Sequence, residues 1–432
     1  MRYLKTFFVM VVLSTGAALT AVGPAAEGGT GGGKLDWWVD GQAWFRGEWR
    51  YDLDLDEAED DNTFYVASRL RVGFGVRIQQ DYAFYFQAQD ARLFGDEAAT
   101  AANDQNLDLH QGYVDIWRQR ERGWSLRVGR QEWVYGKQRI LGNLDWVNTG
   151  RSFDGVQVRY QGDRFRVDVL GALIRSQFTP VGGSVRTDNA TLAGVYASGE
   201  CRPGATSEGY WLNFTDRVPR PGEIAGTTGT TDIHAFGYRT TQTFGRVDLE
   251  FEGVYETGDV TGDDLSAWAA ALVVGYTFGD ERKIRPFAGY DFATGDRDST
   301  DGKREEFFNF FPTNHMHYGY ADLFGWRNIR SYYFGSQFGE GKHWGQAKIH
   351  RFSLETPGGA WKNAAGIVLG FDPTGGAGRS VGWELDLNYR YAFMKNAKVE
   401  AGVSWFEPGH FARTTRGPDP TQWGYLWFVI GF

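Results

Sequence analysis

Arginines recur on one parity through much of this chain: Arg46 and Arg50, then Arg69, Arg71 and Arg77, then Arg127, Arg159, Arg164 and Arg166. A guanidinium presents a planar fork of donors that matches a carboxylate. Rows of such forks on successive elements could pass an anionic polymer along, each contact weak in water and easily released. Tyr65, Tyr85, Tyr113 and Trp117 share these faces, and aromatic faces suit sugar rings. Later in the chain the same kind of face carries acid: Asp248, Glu250, Glu252, Glu256, Asp291, Glu384 and Asp386, with Arg246, Arg285 and Arg390 as exceptions. An enclosed path built from these faces would be polarised across its width. The competing role for each charge is to pair with a neighbour and stiffen the wall. The residues taken to line the path are Arg46, Arg69, Arg71, Arg77, Tyr85, Tyr113, Asp115, Arg127, Arg159, Arg166 and Arg390.

Other chemistry is thinly represented. Neither a nucleophile elbow nor an HExxH motif is present, so the chain does not read as an enzyme. His315 and His317 alternate in FPTNHMHYGY without a partner cluster. DLDLDEAEDDN at 52–62 is strongly acidic, and GDRDSTDGK at 295–303 lacks the spacing and closing Glu of an EF-hand. Both read as solvated loops, and no metal or cofactor is expected.

The elements that would position these side chains follow from alternation. Val247, Leu249, Phe251, Gly253 and Tyr255 alternate with Asp248, Glu250, Glu252 and Glu256. Trp383, Leu385, Leu387, Tyr389 and Tyr391 do the same with Glu384, Asp386, Asn388 and Arg390. Period-two alternation at this length means strands with two unlike faces. Such strands begin near residues 36, 63, 82, 107, 124, 153, 163, 190, 208, 232, 245, 266, 284, 328, 344, 382, 396 and 422. The strand near 344 lacks clean parity, because Ile349 and Phe352 fall on opposite faces; a bulge would restore it. Every other connection is short, as in QQD at 79–81 and MKNAK at 394–398, and those between are long.

Composition agrees. Aromatics make up 16% of the 432 residues, and the chain ends in WFVIGF. Mean hydropathy is only −0.44, as expected where half of each strand meets water. After Leu35 no apolar run is long enough for a transmembrane helix. The fold class is therefore all-β: a single transmembrane antiparallel β-barrel of about 18 strands, with short periplasmic turns and long extracellular loops. A lumen that wide should hold a water-filled channel. Residues 1–26 read as a cleaved export signal, with Arg2 and Lys5 before an apolar run and small residues up to Ala26. Residues 27–432 are the barrel. Loss of Arg2 and Lys5 takes the net charge from −9 to −11, which disfavours nucleic acid as a partner.

Three segments carry a resemblance: GRQEWVYGKQRILGNLDWVNTGRSFDGVQVRY at 129–160, YDFATGD at 290–296 and FNFFPTNHMHYGYADLFGWRNI at 308–329. Together they resemble the alginate export family of outer-membrane porins. The resemblance implies a monomeric channel with an arginine-rich constriction, through which an anionic polysaccharide or oligosaccharide leaves the cell. It also implies outer-membrane lipid and periplasmic export proteins as partners. Arg130, Asn148, Arg151 and Asp154 fall in the matching block and would sit at or near the constriction, or in a loop folded over it. Strict parity turns Arg130 outward, unless Gly129 is bulged or Arg130 lies above the membrane. The resemblance further implies a long periplasmic turn between the sixteenth and seventeenth strands, where this chain has only MKNAK. The alternative reading is a diffusion porin for uptake of small anionic solutes.

Overall fold

The structure, a computed structural model, describes residues 27–29, 35–56, 58, 61–79, 81–95, 107–117, 121–174, 190–279 and 283–432. The proposed export signal lies outside the described residues. Eighteen strands form the wall: β1 Leu35–Tyr51, β2 Thr63–Ile78, β3 Tyr82–Phe94, β4 Asp108–Ile116, β5 Gly123–Gln131, β6 Phe153–Gln161, β7 Phe165–Ile174, β8 Ala190–Arg202, β9 Ala205–Pro221, β10 Thr228–Phe244, β11 Val247–Val260, β12 Asp263–Tyr276, β13 Lys283–Ala293, β14 Ile329–Glu340, β15 His343–Ser353, β16 Ser380–Met394, β17 Ala397–Pro408 and β18 Thr421–Gly431. Each pairs antiparallel with the next, and β18 returns to β1, from Gln42↔Gly431 to Tyr51↔Gln422. Closure leaves no sheet edge, which hydrocarbon demands because it offers backbone groups no partner. All the expected strands are present.

Alternation sets the two faces. On β2, Leu70, Val72 and Phe74 are 46%, 55% and 48% exposed, while Arg69 and Arg71 are 0% and 7% exposed. The outer face is greasy and the charges turn inward. On β11, Phe251 and Tyr255 face out, and Glu252 and Glu256 are buried.

One expectation about connections needs correction. The loop-side link between β11 and β12 is a tight turn at Thr261–Gly262, both left-handed (φ 57° and 90°). Two consecutive positive φ angles suit the right-handed twist of a hairpin, and the second falls to glycine at no steric cost. On the turn side, Met394 pairs directly with Ala397, so MKNAK makes a hairpin turn and no long periplasmic segment.

The strand near 344 is regular from His343 to Phe352, and its register slips only between Phe352 and Ser353. No bulge is required to place Phe352. It points inward and stacks on Phe324 at 3.7 Å. An apolar side chain faces the lumen here because the lumen at that level is dry. Two long loops, 132–152 and 294–328, fold inside the wall and build an apolar core there, including Trp133, Leu141, Phe307, Phe311, Tyr318 and Trp326. The bore is not simply filled with water.

If the outer face meets hydrocarbon, Phe74→Arg should lower the free energy of unfolding from vesicles by about 2–4 kcal/mol, the cost of a mid-depth cation. Urea titration of the refolded barrel measures this. A loss well under 1 kcal/mol would mean that β2 does not cross the acyl layer at Phe74.

Candidate pore constriction and vestibule

The 132–152 loop leaves β5 at its long-loop end and is held by arginines of the early wall. Arg46 Nη1 donates to the Trp146 carbonyl at 2.6 Å. Arg69 donates to the carbonyls of Asp145 (3.1 Å) and Val147 (3.3 Å), and to the Asp145 carboxylate at 2.8 Å. Arg71 reaches Glu132 at 3.3 Å. Asn148 donates to the Arg92 carbonyl at 3.0 Å, which pins the loop to β3.

The 294–328 loop meets the opposite kind of wall. Glu256 accepts the Phe308 N–H at 2.7 Å, Glu384 the Ala321 N–H at 3.0 Å, and Asp386 the Tyr320 N–H at 3.4 Å. Arg139 of the first loop crosses to this side, 3.4 Å from Asp291, and donates to the Tyr318 hydroxyl at 2.9 Å. The polarisation expected from parity is thus present, and the loops use it. Carbonyls of one loop meet guanidinium groups; N–H groups of the other meet carboxylates.

The two loops also join each other. Leu141 and Phe311 form a parallel bridge, with Gly142 N–H on the Phe311 carbonyl (2.9 Å) and Phe311 N–H on the Ile140 carbonyl (2.8 Å). Trp146 sits at the joint. His315 stacks on it at 3.7 Å, and the Arg46 guanidinium lies over its other neighbourhood at 3.7 Å.

Most wall charges placed on the path by parity are already paired with neighbours along the wall, and Arg46 donates to Glu48 of its own strand at 2.8 Å. Arg127 forms a fork with Asp115 (2.6 and 2.7 Å) and lies 3.7 Å over the Tyr113 ring. Arg159 forks onto Asp168, which Arg166 also approaches at 3.4 Å. Arg390 meets Glu400 at 2.6 Å, and Tyr85 donates to Asp40 at 2.8 Å. Arg77 lies over Trp38 at 5.4 Å. The pairing role weighed in the sequence therefore holds for most of these side chains.

Arg130 and Asp154 keep the parity of their strands, and Arg130 lines a small cavity with Gln89, Thr149 and Ser152. The ladder runs unbroken through Gly112↔Arg130 and Arg130↔Asp154, so no bulge turns them inward. They fork together at 2.7 Å on the outer parity, beside the loop end of their strands. Gly129 is still special: at φ 129°, an added Cβ would lie 2.2 Å from the Gly112 carbonyl oxygen.

Between the loops and the wall lies a chamber of about 470 Å³, lined by Arg50, Trp146, Arg151, Asn309, Asn314, His315, Asp322, Arg327, Asn363 and Arg416 among others. Three of its guanidinium groups are held by carbonyls alone. Arg151 donates to Gly142 and Pro312 (both 3.1 Å), Arg327 to Asn309 (3.2 Å), and Arg416 to Leu369 (3.3 Å) and Leu53 (2.9 Å). Among the described residues, none of the three has a carboxylate within 4 Å. Burial lowers the Arg151 pKa to about 10 and lowers Arg327 and Arg416 as well, yet all remain cations at neutral pH. Arg50 shares the chamber but reaches Glu48 at 3.4 Å. A carbonyl orients a guanidinium without cancelling its charge. The chamber therefore carries net positive charge, next to the face of an indole. Of this group, the resemblance points to Arg151 and parity to Arg50. Arg327 and Trp146 sit inside the resembling segments but carry no spacing signal, and Arg416, in FARTTRG, carries none at all.

The described fold and this loop-lined chamber can now be set beside known proteins. A family model described as alginate export matches residues 38–425. The chain belongs to the alginate export family. No curated protein sequence matches it. Among solved structures, Acinetobacter baumannii OccAB4 superposes with a TM-score of 0.58 at 11% identity, covering 91% of this chain and 98% of that one. Pseudomonas aeruginosa OccK5 (OpdH) gives 0.58 at 12% identity, covering 91% and 98%. The outer membrane protein OprD from Pseudomonas aeruginosa gives 0.56 at 10% identity, covering 91% and 94%. At such identities these likenesses speak to the barrel fold alone. Family and fold together make this an outer-membrane β-barrel channel of a Gram-negative cell. The three resembling segments converge inside it: 129–160 supplies the first loop, 308–329 most of the second, and 290–296 brings Asp291 to Arg139.

Trp146→Ala removes the ring shared by both loops. Loss of a packed aromatic costs roughly 3–5 kcal/mol, so the docked loop arrangement should yield to an opened one. Single-channel recording should then show larger, noisier currents, with barrel content by circular dichroism unchanged. Unaltered conductance would show that Trp146 does not join the loops.

Proposed function

We propose that this channel moves anionic oligo- or polysaccharide, alginate-like in bearing a carboxylate on each sugar, outward across the outer membrane. The observation that carries the reading is the trio of guanidinium groups with no carboxylate within 4 Å among the described residues, Arg151, Arg327 and Arg416, around a chamber that Trp146 also lines. Membership of the alginate export family supports the substrate class and the direction. Carboxylates would meet the guanidinium forks, and sugar faces the indole. The wall arginines enter the same account in a second role. Arg46 and Arg69 hold loop carbonyls, and a substrate carboxylate is the stronger acceptor for the same donors. An incoming polymer would compete for them as the loops give way, leaving an arginine-lined lumen.

A second reading has its own support. A chamber of about 470 Å³ is sized for a ligand of one or two sugar rings, not a threaded polymer. That favours a diffusion porin admitting small uronates or similar anions, and the likeness in fold to OccAB4 and OprD is compatible with it.

Planar-bilayer recording separates the two. On the export reading, polyuronate blocks the current. Arg151→Ala, Arg327→Ala or Arg416→Ala each weakens block by roughly tenfold, from a charged hydrogen bond of about 1.5 kcal/mol. On the porin reading, monomeric uronate permeates and the polymer has no effect. Cation selectivity without block by either would remove both.

A further inference from the structure

We propose that the acidic loop after β1 is a calcium site formed by Asp52, Asp54 and Asp61. One carboxylate oxygen from each lies within 4.8 Å of the others. A single cation with bonds of about 2.4 Å to oxygen can bridge that spread, as Ca²⁺ does and the smaller Mg²⁺ does less readily.

Acidic loops are common without an ion, and here Asp52 decides the matter. It is only 3% exposed, and neither carboxylate oxygen has a hydrogen-bond partner. A buried carboxylate without donors is costly, and two more carboxylates face it. Among the described residues no Lys or Arg lies within 4 Å of the three.

The other two ligands are already oriented. Asp61 accepts the N–H groups of Leu53 and Asp54, both at 3.0 Å, and Asp54 accepts that of Asp56 at 3.1 Å. Each oxygen so engaged keeps a lone pair for a cation. The loop is also anchored from outside. The buried Leu55 gives its carbonyl to Asp419 N–H at 3.1 Å, and the Leu53 carbonyl accepts from Arg416 at 2.9 Å. A bound ion would therefore stiffen the segment that holds one of the chamber's cations, though the site itself stands on the three carboxylates alone.

The test uses the refolded full chain in detergent, stripped with EDTA. CaCl₂ should raise the unfolding temperature with a midpoint of ~0.1–1 mM, the range of extracellular calcium modules, and calorimetric titration should give one site. MgCl₂ should act more weakly. Asp52→Asn should weaken Ca²⁺ at least tenfold yet unfold no earlier than wild type in EDTA, since it removes an uncompensated charge. A purely structural aspartate would not give that reversal. Asp61→Asn should also lose the response, whereas Asp372→Asn, in another loop, should keep it. A wild-type chain indifferent to CaCl₂, or an undiminished response in both Asp52→Asn and Asp61→Asn, would overturn the proposal.

Discussion

An irregular loop inside a barrel brings peptide groups that cannot all pair with one another, and each one left bare in a dry interior is costly. An 18-strand wall is too wide for its own side chains to fill. The space must be taken by water or by loops. Here loops take much of it, and the wall meets their demand from two sides. Guanidinium groups on β1 and β2 supply donors for loop carbonyls. Carboxylates on β11 and β16 supply acceptors for loop N–H groups. The charge polarisation of the lumen is, first of all, a hydrogen-bonding solution for two irregular loops.

That arrangement separates two kinds of arginine. Wall arginines such as Arg127 and Arg159 lie in forks with carboxylates, so their fields are largely cancelled at short range. Loop arginines such as Arg151 and Arg327 are satisfied geometrically by carbonyls and remain charged. A passing anion meets attraction where charge is uncompensated, not wherever arginine is abundant. Counting arginines along a face therefore overstates the early wall and overlooks the chamber.

The barrel was legible because lipid imposes a rule that acts residue by residue. Alternation at Leu70, Arg71 and Val72 or at Phe251, Glu252 and Gly253 needs no knowledge of distant partners. Departures came where a second constraint overrode it. Phe352 faces inward because Phe324, a loop residue, is there to receive it. Arg130 follows the strict parity that its chemistry seemed to argue against, because Asp154 pairs with it on the outer face. The chamber was largely hidden. Arg416 and Arg327 are brought together by loops whose paths depend on contacts such as Leu141 with Phe311, far apart in sequence and without periodicity. The resemblance marked both loops as important, but only geometry assigns Arg46 and Arg69 to holding them.

The same contacts also determine how the lumen could open. Removing the 132–152 loop from the wall strips Arg46 and Arg69 of carbonyl acceptors, and Arg69 is wholly buried. Arg46 would keep its ion pair with Glu48 and Arg69 its two hydrogen bonds to Gln42, but Arg69 would also lose the Asp145 carboxylate. An anion entering from the chamber would offer Arg46 an acceptor of higher charge than the Trp146 carbonyl, and would offer Arg69 a replacement for the Asp145 carboxylate as well as for the two carbonyls. On the carboxylate wall the charge of an anion is repelled by Glu256 and Glu384, and only sugar hydroxyls could replace the loop N–H donors there. The two loops are thus unequally held against an anionic substrate. For the proposed substrate, the loop on the arginine wall is the one whose contacts a carboxylate could replace, and the contacts of the loop on the acidic wall are the ones it replaces less readily.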